Sequence, residues 1–163
     1  MIKIIKYFFE AIIIYLFFFI IKIVGLSIGR SLFSSIFKKI GPIIRSKNIV
    51  KKNLNIFSNK LSEKNKNEIV EKMWSNYGKT FVEYMFLKKF RKENSHITIK
   101  GKKILDEIYF KNKPVIFVSG HFANFELMSM KITKNKINLA TIYRPLNNLF
   151  LNPLMEYLRK KYV

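Results

Sequence analysis

Residues 114–143 read PVIFVSGHFANFELMSMKITKNKINLATIY, and this stretch decides the fold that the sequence predicts. Its first six residues form a nearly all-apolar run with β-branched side chains, which is typical of a strand buried on both faces. Gly120 ends that run, residues 125–133 have a helical pattern, and residues 137–143 form a second apolar run. A strand, a helix and a strand within about 30 residues predict a right-handed βαβ unit. The predicted fold class is therefore α/β, with a largely parallel sheet and flanking helices.

Upstream of this unit the sequence predicts mainly helices. Residues 102–111 suit a helix, and residues 97–99 (ITI) are a short strand candidate. Ser62 is placed to cap a further helix, with Glu63 in its first turn. Apolar residues then recur at spacings of three and four, which predicts a stripe that faces the core or, alternatively, lines an acyl-chain groove. The members of this stripe are Ile69, Val70, Met73, Trp74, Tyr77, Phe81, Val82, Tyr84 and Met85.

The N-terminal segment is predicted to be a membrane-anchoring helix. Residues 11–21 (AIIIYLFFFII) are an unbroken apolar run, and with its flanks the segment spans residues 7–28. At ~1.5 Å per residue a helix of that length reaches ~33 Å, about the thickness of the hydrocarbon layer. A signal peptide and a buried helix are the alternatives. The next helix is predicted to break at Gly41-Pro42.

Composition restricts the chemistry that is open to this chain. Lys and Arg number 31 against 10 Asp and Glu, a net charge of +21 that favours anionic partners, although codon bias in an AT-rich genome also produces such an excess. The basic residues that follow the anchor outnumber those before it, which predicts that the body of the protein is cytoplasmic. Because the chain has no Cys, disulfides, thiolate catalysis and Cys-ligated zinc are excluded. Because the chain has two His and few carboxylates, it offers few metal ligands, and no metal site is predicted.

Two polar clusters follow the two predicted strands, at residues 119–126 and 143–148. The carboxyl ends of neighbouring parallel strands meet at one edge of a sheet, so both clusters are expected there. His121 and Glu126 would lie roughly 140° apart on a continuous helix, so they can meet only if His121 is in the loop. A carboxylate beside a histidine fixes its tautomer and stabilises the imidazolium, which suits a general base. On spacing alone, an incidental role for this pair remains open, and His96 is predicted to be a surface residue.

These clusters resemble a known family. GHFANFE at residues 120–126 resembles the H-x4-D/E signature of glycerolipid-type acyltransferases, and it is most similar to the GHFGNWE form of the lipid A biosynthesis lauroyl and myristoyl (late) acyltransferases. Residues 141–159 (TIYRPLNNLFLNPLMEYLR) resemble the second conserved block of that family, and residues 52–54 and 74–83 resemble its helical lead-in. The departures are Ala123 for Gly, Phe125 for Trp, and Leu149 where Pro often stands.

The resemblance implies a membrane-bound O-acyltransferase of the cell inner membrane that acts in lipopolysaccharide synthesis. It would take an acyl group from an acyl carrier protein thioester, without a further cofactor, and acylate a hydroxyl of a lipid A precursor or related glycolipid. It assigns the catalytic pair to His121 and Glu126. It gives substrate-binding roles to four further residues: Arg144, Asn148, Arg159 and Asn124. A structural ion pair for Arg144 and a solvated basic face for Arg159 are the alternatives.

The predicted organisation is a membrane anchor over residues 1–28, a helical lead-in over 29–94, and the first part of an acyltransferase domain over 95–163. Members of the family are longer than these 163 residues, so the chain is expected to be a fragment or a truncated product that lacks later strands. The alternative function is that of a catalytically inactive module that binds anionic lipid at the membrane. Nucleic-acid binding is disfavoured because the basic residues are spread along the chain behind an apolar anchor.

Overall fold

The computed structural model describes residues 2–45, 47–93, 96–120 and 122–163. All regular structure among these residues is helical. In chain order the elements are α1 (Ile2–Ile44), α2 (Lys47–Phe57), α3 (Glu63–Glu83), a 3₁₀ turn (Tyr84–Phe86), α4 (Leu87–Lys92), α5 (Lys102–Lys111), α6 (Glu126–Lys134) and α7 (Asn152–Tyr162). The predicted domain boundary at residues 94 and 95 lies outside the described residues, as does the predicted base His121.

The predicted parallel sheet, and with it the α/β fold class, is wrong for the part of the chain described. Residues 114–119 and 137–143 form no strand, and no backbone hydrogen bond joins either run to another described segment. Their side chains are not buried on both faces, since Ile116 and Val118 are each 91% exposed and Ile142 is 106% exposed. An apolar, β-branched sequence favours an extended backbone, but a strand also needs a neighbour that supplies the ladder of hydrogen bonds. Here both runs line a cavity instead of pairing.

Most predicted helices are confirmed close to their predicted bounds. α5 covers the predicted residues, and α6 begins one residue later than predicted. Ser62 caps α3 as predicted, since its Oγ accepts a hydrogen bond from Asn65 N at 3.2 Å. Two local predictions are wrong. Residues 97–99 have no regular structure, and Gly41-Pro42 does not end a helix, because Pro42 lies inside α1.

α1 consists of two helical stretches joined at Gly25, whose φ of 83° and ψ of 173° are accessible to glycine without steric cost. Among the described residues α1 is the one helix long and apolar enough to cross a membrane, and 17% of its most apolar stretch is buried. Large apolar side chains face outward, including Leu16 at 54% and Phe19 at 64% exposure. A helix in the core of a water-soluble protein buries most of such a stretch, so α1 is suited to membrane association.

Residues 21–83 form one compact unit. In it α3 packs against the second stretch of α1, where Phe33, Trp74 and Val82 are buried. The two helices approach closely at Gly78, because a Cβ atom there would overlap the backbone of Phe33. A buried hydrogen bond of 2.7 Å joins the hydroxyls of Ser34 and Ser75 across the same contact. Trp74 and Val82 of the predicted stripe therefore face the core, whereas Ile69 and Tyr77 are exposed.

Residues 2–20 and 84–163 form the second compact unit. In its core α4 packs against both α6 and α7. The buried apolar side chains of these three helices are Leu87, Phe90, Met130, Ile132, Met155 and Leu158. Arg91 reinforces the contact, since its Nη1 donates to Thr133 Oγ1 and to Tyr162 O, each at 3.1 Å. The core therefore fixes α6 and α7 to each other, and those two helices carry the site described next.

Candidate active site

Glu126 is the first residue of α6 and is only 3% exposed. Its Oε1 accepts three hydrogen bonds, from Arg159 Nε at 2.8 Å, from Arg159 Nη2 at 2.7 Å and from the Tyr84 hydroxyl at 3.1 Å. The donors come from α7 and from the 3₁₀ turn, so three elements meet at this carboxylate. A buried carboxylate needs a paired charge, and the forked guanidinium supplies both the charge and two of the donors.

The surroundings of the Tyr84 hydroxyl and the Arg159 guanidinium keep both groups protonated. Burial, followed by the charge of Glu126, raises the pKa of Tyr84 above its ordinary value. Burial by itself would lower the pKa of Arg159, but the hydrogen bond to Glu126 and the charge of Glu126 raise it above its ordinary value. All three hydrogen bonds end on Oε1, and Glu126 Oε2 receives no hydrogen bond from the described residues. One carboxylate oxygen is thus fixed and the other is open to a further donor.

Arg159 also connects the two predicted polar clusters. Its Cζ lies 5.1 Å from the centroid of the Tyr143 ring, a cation–π distance. The Tyr143 hydroxyl in turn donates to Glu156 Oε1 at 2.7 Å. That hydrogen bond, together with one from Asn152, holds the pKa of Glu156 below its ordinary value. One member of each cluster, Glu126 and Tyr143, therefore contacts the same guanidinium, whereas the predicted sheet edge is missing from the described residues.

The turn that leads into α6 has a strained residue. Ala123 has a φ of 47°, in the left-handed region that glycine adopts at little cost. The GHFGNWE form has Gly at this position, so the alanine departs from the pattern where the backbone favours glycine. Asn124 is buried at 8% exposure, and its carbonyl accepts a hydrogen bond from Leu127 N at 3.2 Å. The predicted base His121 precedes this turn and lies outside the described residues.

The remaining predicted substrate-binding residues have different surroundings. Arg144 is exposed and makes no hydrogen bond or ion pair with the described residues. Asn148 is buried, and its Nδ2 donates to Tyr7 O at 2.9 Å and approaches Glu10 Oε2 at 3.4 Å. Its Oδ1 accepts a hydrogen bond from Phe150 N at 3.0 Å. The polar atoms of Asn148 are thus engaged with α1 and its own loop, whereas Arg144 is open to solvent.

A cavity of about 1230 Å³ lies among α5, α6 and the two apolar runs. Ser119, two residues before His121, lines it, and so do Met128 and Ile132 of α6. Other apolar side chains in its wall are Ile108, Phe110, Ile116, Phe117, Leu139 and Ile142. Because α6 carries Glu126 at its first residue and wall residues in its next turns, the cavity adjoins the helix that holds the carboxylate.

Sequence reasoning missed the hydrogen bonds that Tyr84 and Arg159 make to Glu126. Tyr84 was assigned to the apolar stripe, and Arg159 was expected to face substrate or solvent. The signal that could have identified Tyr84 is its hydroxyl, because a buried tyrosine needs a hydrogen-bond partner. Which acceptor it would find could not be read from the sequence, since backbone carbonyls also accept such bonds, as Phe150 O does from the Tyr15 hydroxyl.

Within the described residues, no group of three or more His, Asp or Glu is placed to hold a metal ion.

The profile of the family described as bacterial lipid A biosynthesis acyltransferase matches residues 2–162. The match includes α1, Glu126 and Arg159, and it covers nearly the whole chain. No curated protein and no solved structure matches.

Proposed function

This chain belongs to the bacterial lipid A biosynthesis acyltransferase family, and from that premise we propose that it moves a fatty acyl group from an acyl carrier protein thioester to a hydroxyl of a lipid A precursor. The observation that carries the assignment of the site is the state of Glu126. Its carboxylate is buried at the start of α6, Arg159 and Tyr84 hold one of its oxygens, and the other oxygen receives no hydrogen bond from the residues that the structure describes. It follows His121 at the spacing of the family signature.

In the proposed mechanism His121 takes the proton of the acceptor hydroxyl as its oxygen attacks the thioester carbonyl. The carbon–sulfur bond then breaks, the ester remains on the acceptor, and the imidazolium returns the proton to the departing thiolate. Glu126 accepts the other ring N–H of His121 through Oε2, which fixes the tautomer and stabilises the imidazolium. The chain has no Cys to form an acyl-enzyme, so direct transfer is the economical scheme.

Arg159 and Tyr84 act as positioning residues in this proposal, because both hydrogen-bond Glu126. Arg144 is the better candidate for contact with substrate, since an exposed guanidinium suits a phosphate or a developing oxyanion. Asn124, which is buried and precedes Glu126 by two residues, is a second candidate. Asn148 is less suited to substrate because its side chain is already hydrogen-bonded. The cavity is open to solvent, and the apolar side chains in its wall would contact an acyl chain.

We further propose that α1 inserts in the inner membrane and that the site faces the cytoplasm. The outward-facing apolar side chains of α1 support insertion, and the excess of Lys and Arg after residue 21 supports the orientation. This places the site at the bilayer surface, where an acylated glycolipid acceptor and a water-soluble carrier protein can both reach it.

The test compares the two histidines of the chain. The chain is assayed in mixed micelles with acyl carrier protein thioester and lipid A precursor. His121→Ala should lower turnover by about 10²- to 10⁴-fold, the usual contribution of a general base. The matched control His96→Ala should turn over like the wild type. Wild-type turnover by His121→Ala would reject the assignment of the base.

The same assay separates the alternative function, an inactive module that binds anionic lipid. That alternative predicts no acyl transfer by the wild type, together with binding to anionic vesicles that weakens steeply with salt. No observation on the described residues favours it over acyl transfer.

A further inference from the structure

α2 (Lys47–Phe57) has an apolar face and a polar face. At about 100° per residue its apolar side chains share an arc of about 160°, interrupted by Asn53 alone: Ile49, Val50, Leu54, Ile56 and Phe57. The opposite arc carries only polar and basic side chains, among them Asn48, Lys51, Lys52 and Asn55. This separation is typical of a helix that lies between an apolar and an aqueous environment.

The protein covers only part of the apolar face. Val50 and Leu54 are half-buried in the unit where α2 packs against α3. The other members are open to solvent, with Ile49 at 45%, Ile56 at 76% and Phe57 at 80% exposure. At the end of α1, just before α2, Ile43 is 83% exposed and Ile44 is 69% exposed. A cluster of exposed large apolar side chains on adjacent elements marks a surface that a membrane or another molecule covers.

The charge around this face indicates what covers it. α2 contains three Lys and no Asp or Glu. Lys51 is neutralised by Glu63 at 2.9 Å, whereas Lys52 has no ion pair among the described residues. Arg45 and Lys60 flank the helix and add to the basic border. A second copy of the chain is disfavoured because it would bring another net charge of +21 to a basic surface.

We propose that α2 is an interfacial helix that lies in the plane of a membrane containing anionic phospholipids. Ile49, Ile56 and Phe57 insert at the boundary of headgroups and acyl chains, and Lys52 binds lipid phosphates. An exposed apolar face bordered by Lys is the pattern of helices that bind anionic bilayers in this way. α2 belongs to the same chain as α1, the helix suited to membrane association.

The absence of Cys allows a site-specific test in the full chain. Ile56→Cys and the matched control Asn55→Cys are each labelled with a polarity-sensitive fluorophore and reconstituted in vesicles of phosphatidylcholine and phosphatidylglycerol. These adjacent positions lie about 100° apart around α2, one in the apolar arc and one in the polar arc. We expect quenching by aqueous iodide to be about threefold weaker at position 56 than at 55, with quenching by a lipid-borne nitroxide in the reverse order, as expected for an interfacial helix. Equal iodide quenching at the two positions would overturn the proposal.

Two further arms test which partner covers the face. In vesicles of phosphatidylcholine alone, where α1 still holds the chain, protection of position 56 should fall toward that of position 55. Undiminished protection there would overturn the role given to anionic lipid. Protection that requires a high ratio of protein to lipid, without nitroxide quenching, would overturn the proposal in favour of contact between copies. None of these readouts depends on acyl transfer, so their failure leaves the proposed function standing.

Discussion

At the scale of single residues, Arg159 is the main hydrogen-bond partner of the buried carboxylate of Glu126. The carboxylate is 3% exposed, and two of its three hydrogen bonds come from the guanidinium. Arg159→Met keeps much of the side-chain volume but leaves a buried charge with Tyr84 alone. Because the Arg159 side chain is 23% exposed, we expect a loss of about 2 to 3 kcal/mol in the free energy of unfolding, below the usual cost of breaking a fully buried pair. Denaturant unfolding in detergent measures it.

The control for this prediction removes both charges. Arg159→Met combined with Glu126→Gln should recover part of the lost stability, since neither charge is then left unpaired. A cost below about 1 kcal/mol for Arg159→Met would mean that the pair behaves like an ion pair on the surface.

At the scale of the helices, the approach of α1 and α3 depends on Gly78. In an exposed helix Gly→Ala is favourable by about 1 kcal/mol, because alanine has the higher helix propensity. A Cβ at Gly78, however, would overlap the backbone carbonyl of Phe33, which cannot move as a side chain does. We therefore expect Gly78→Ala to lower the midpoint of thermal unfolding, with a cost of about 1 to 3 kcal/mol or more from overpacking. Circular dichroism in detergent follows the unfolding.

Asn67→Ala is the matched control for that helix, since Asn67 is an exposed residue of the same α3. It should leave the midpoint unchanged or raise it slightly, because only helix propensity changes. If Gly78→Ala raised the midpoint as the control does, the close contact between the two helices would be contradicted.

At the scale of the whole molecule, the question is whether α1 holds the chain in the bilayer. Leu16 and Phe19 are more than half exposed, so Leu16→Lys with Phe19→Lys changes the outer surface and disturbs little packing. Each Lys at the centre of a membrane helix costs about 2.5 to 3.5 kcal/mol on insertion. We expect the wild type to stay with membranes after alkaline carbonate extraction and the double variant to be released.

An apolar pair of substitutions, Leu16→Val with Phe19→Leu, controls for this test and should remain with the membranes. Release of the wild type by carbonate would contradict insertion and would leave electrostatic attachment through the net charge of +21 as the explanation.

The sequence by itself determined the features that depend on neighbouring residues. The cap at Ser62, the bounds of α5 and α6 and the apolar character of α1 follow from patterns within a few turns of helix. The family signature around Glu126 is equally local, and the family match agrees with it. The expectation of a sheet failed at residues 114–119 and 137–143, because composition favours strands but cannot supply the partner that a strand requires. The composition of these two runs favours an extended backbone, but it does not determine whether another strand pairs with them.

Only the tertiary structure decided how the site is held. Tyr84 and Arg159 reach Glu126 across 42 and 33 residues of sequence, and nothing in the intervening pattern specifies that contact. The packing of α4 on α6 and α7 brings the three groups together. The physical reason is burial: a carboxylate withdrawn from water must find its charge and hydrogen-bond partners wherever the packed helices place them.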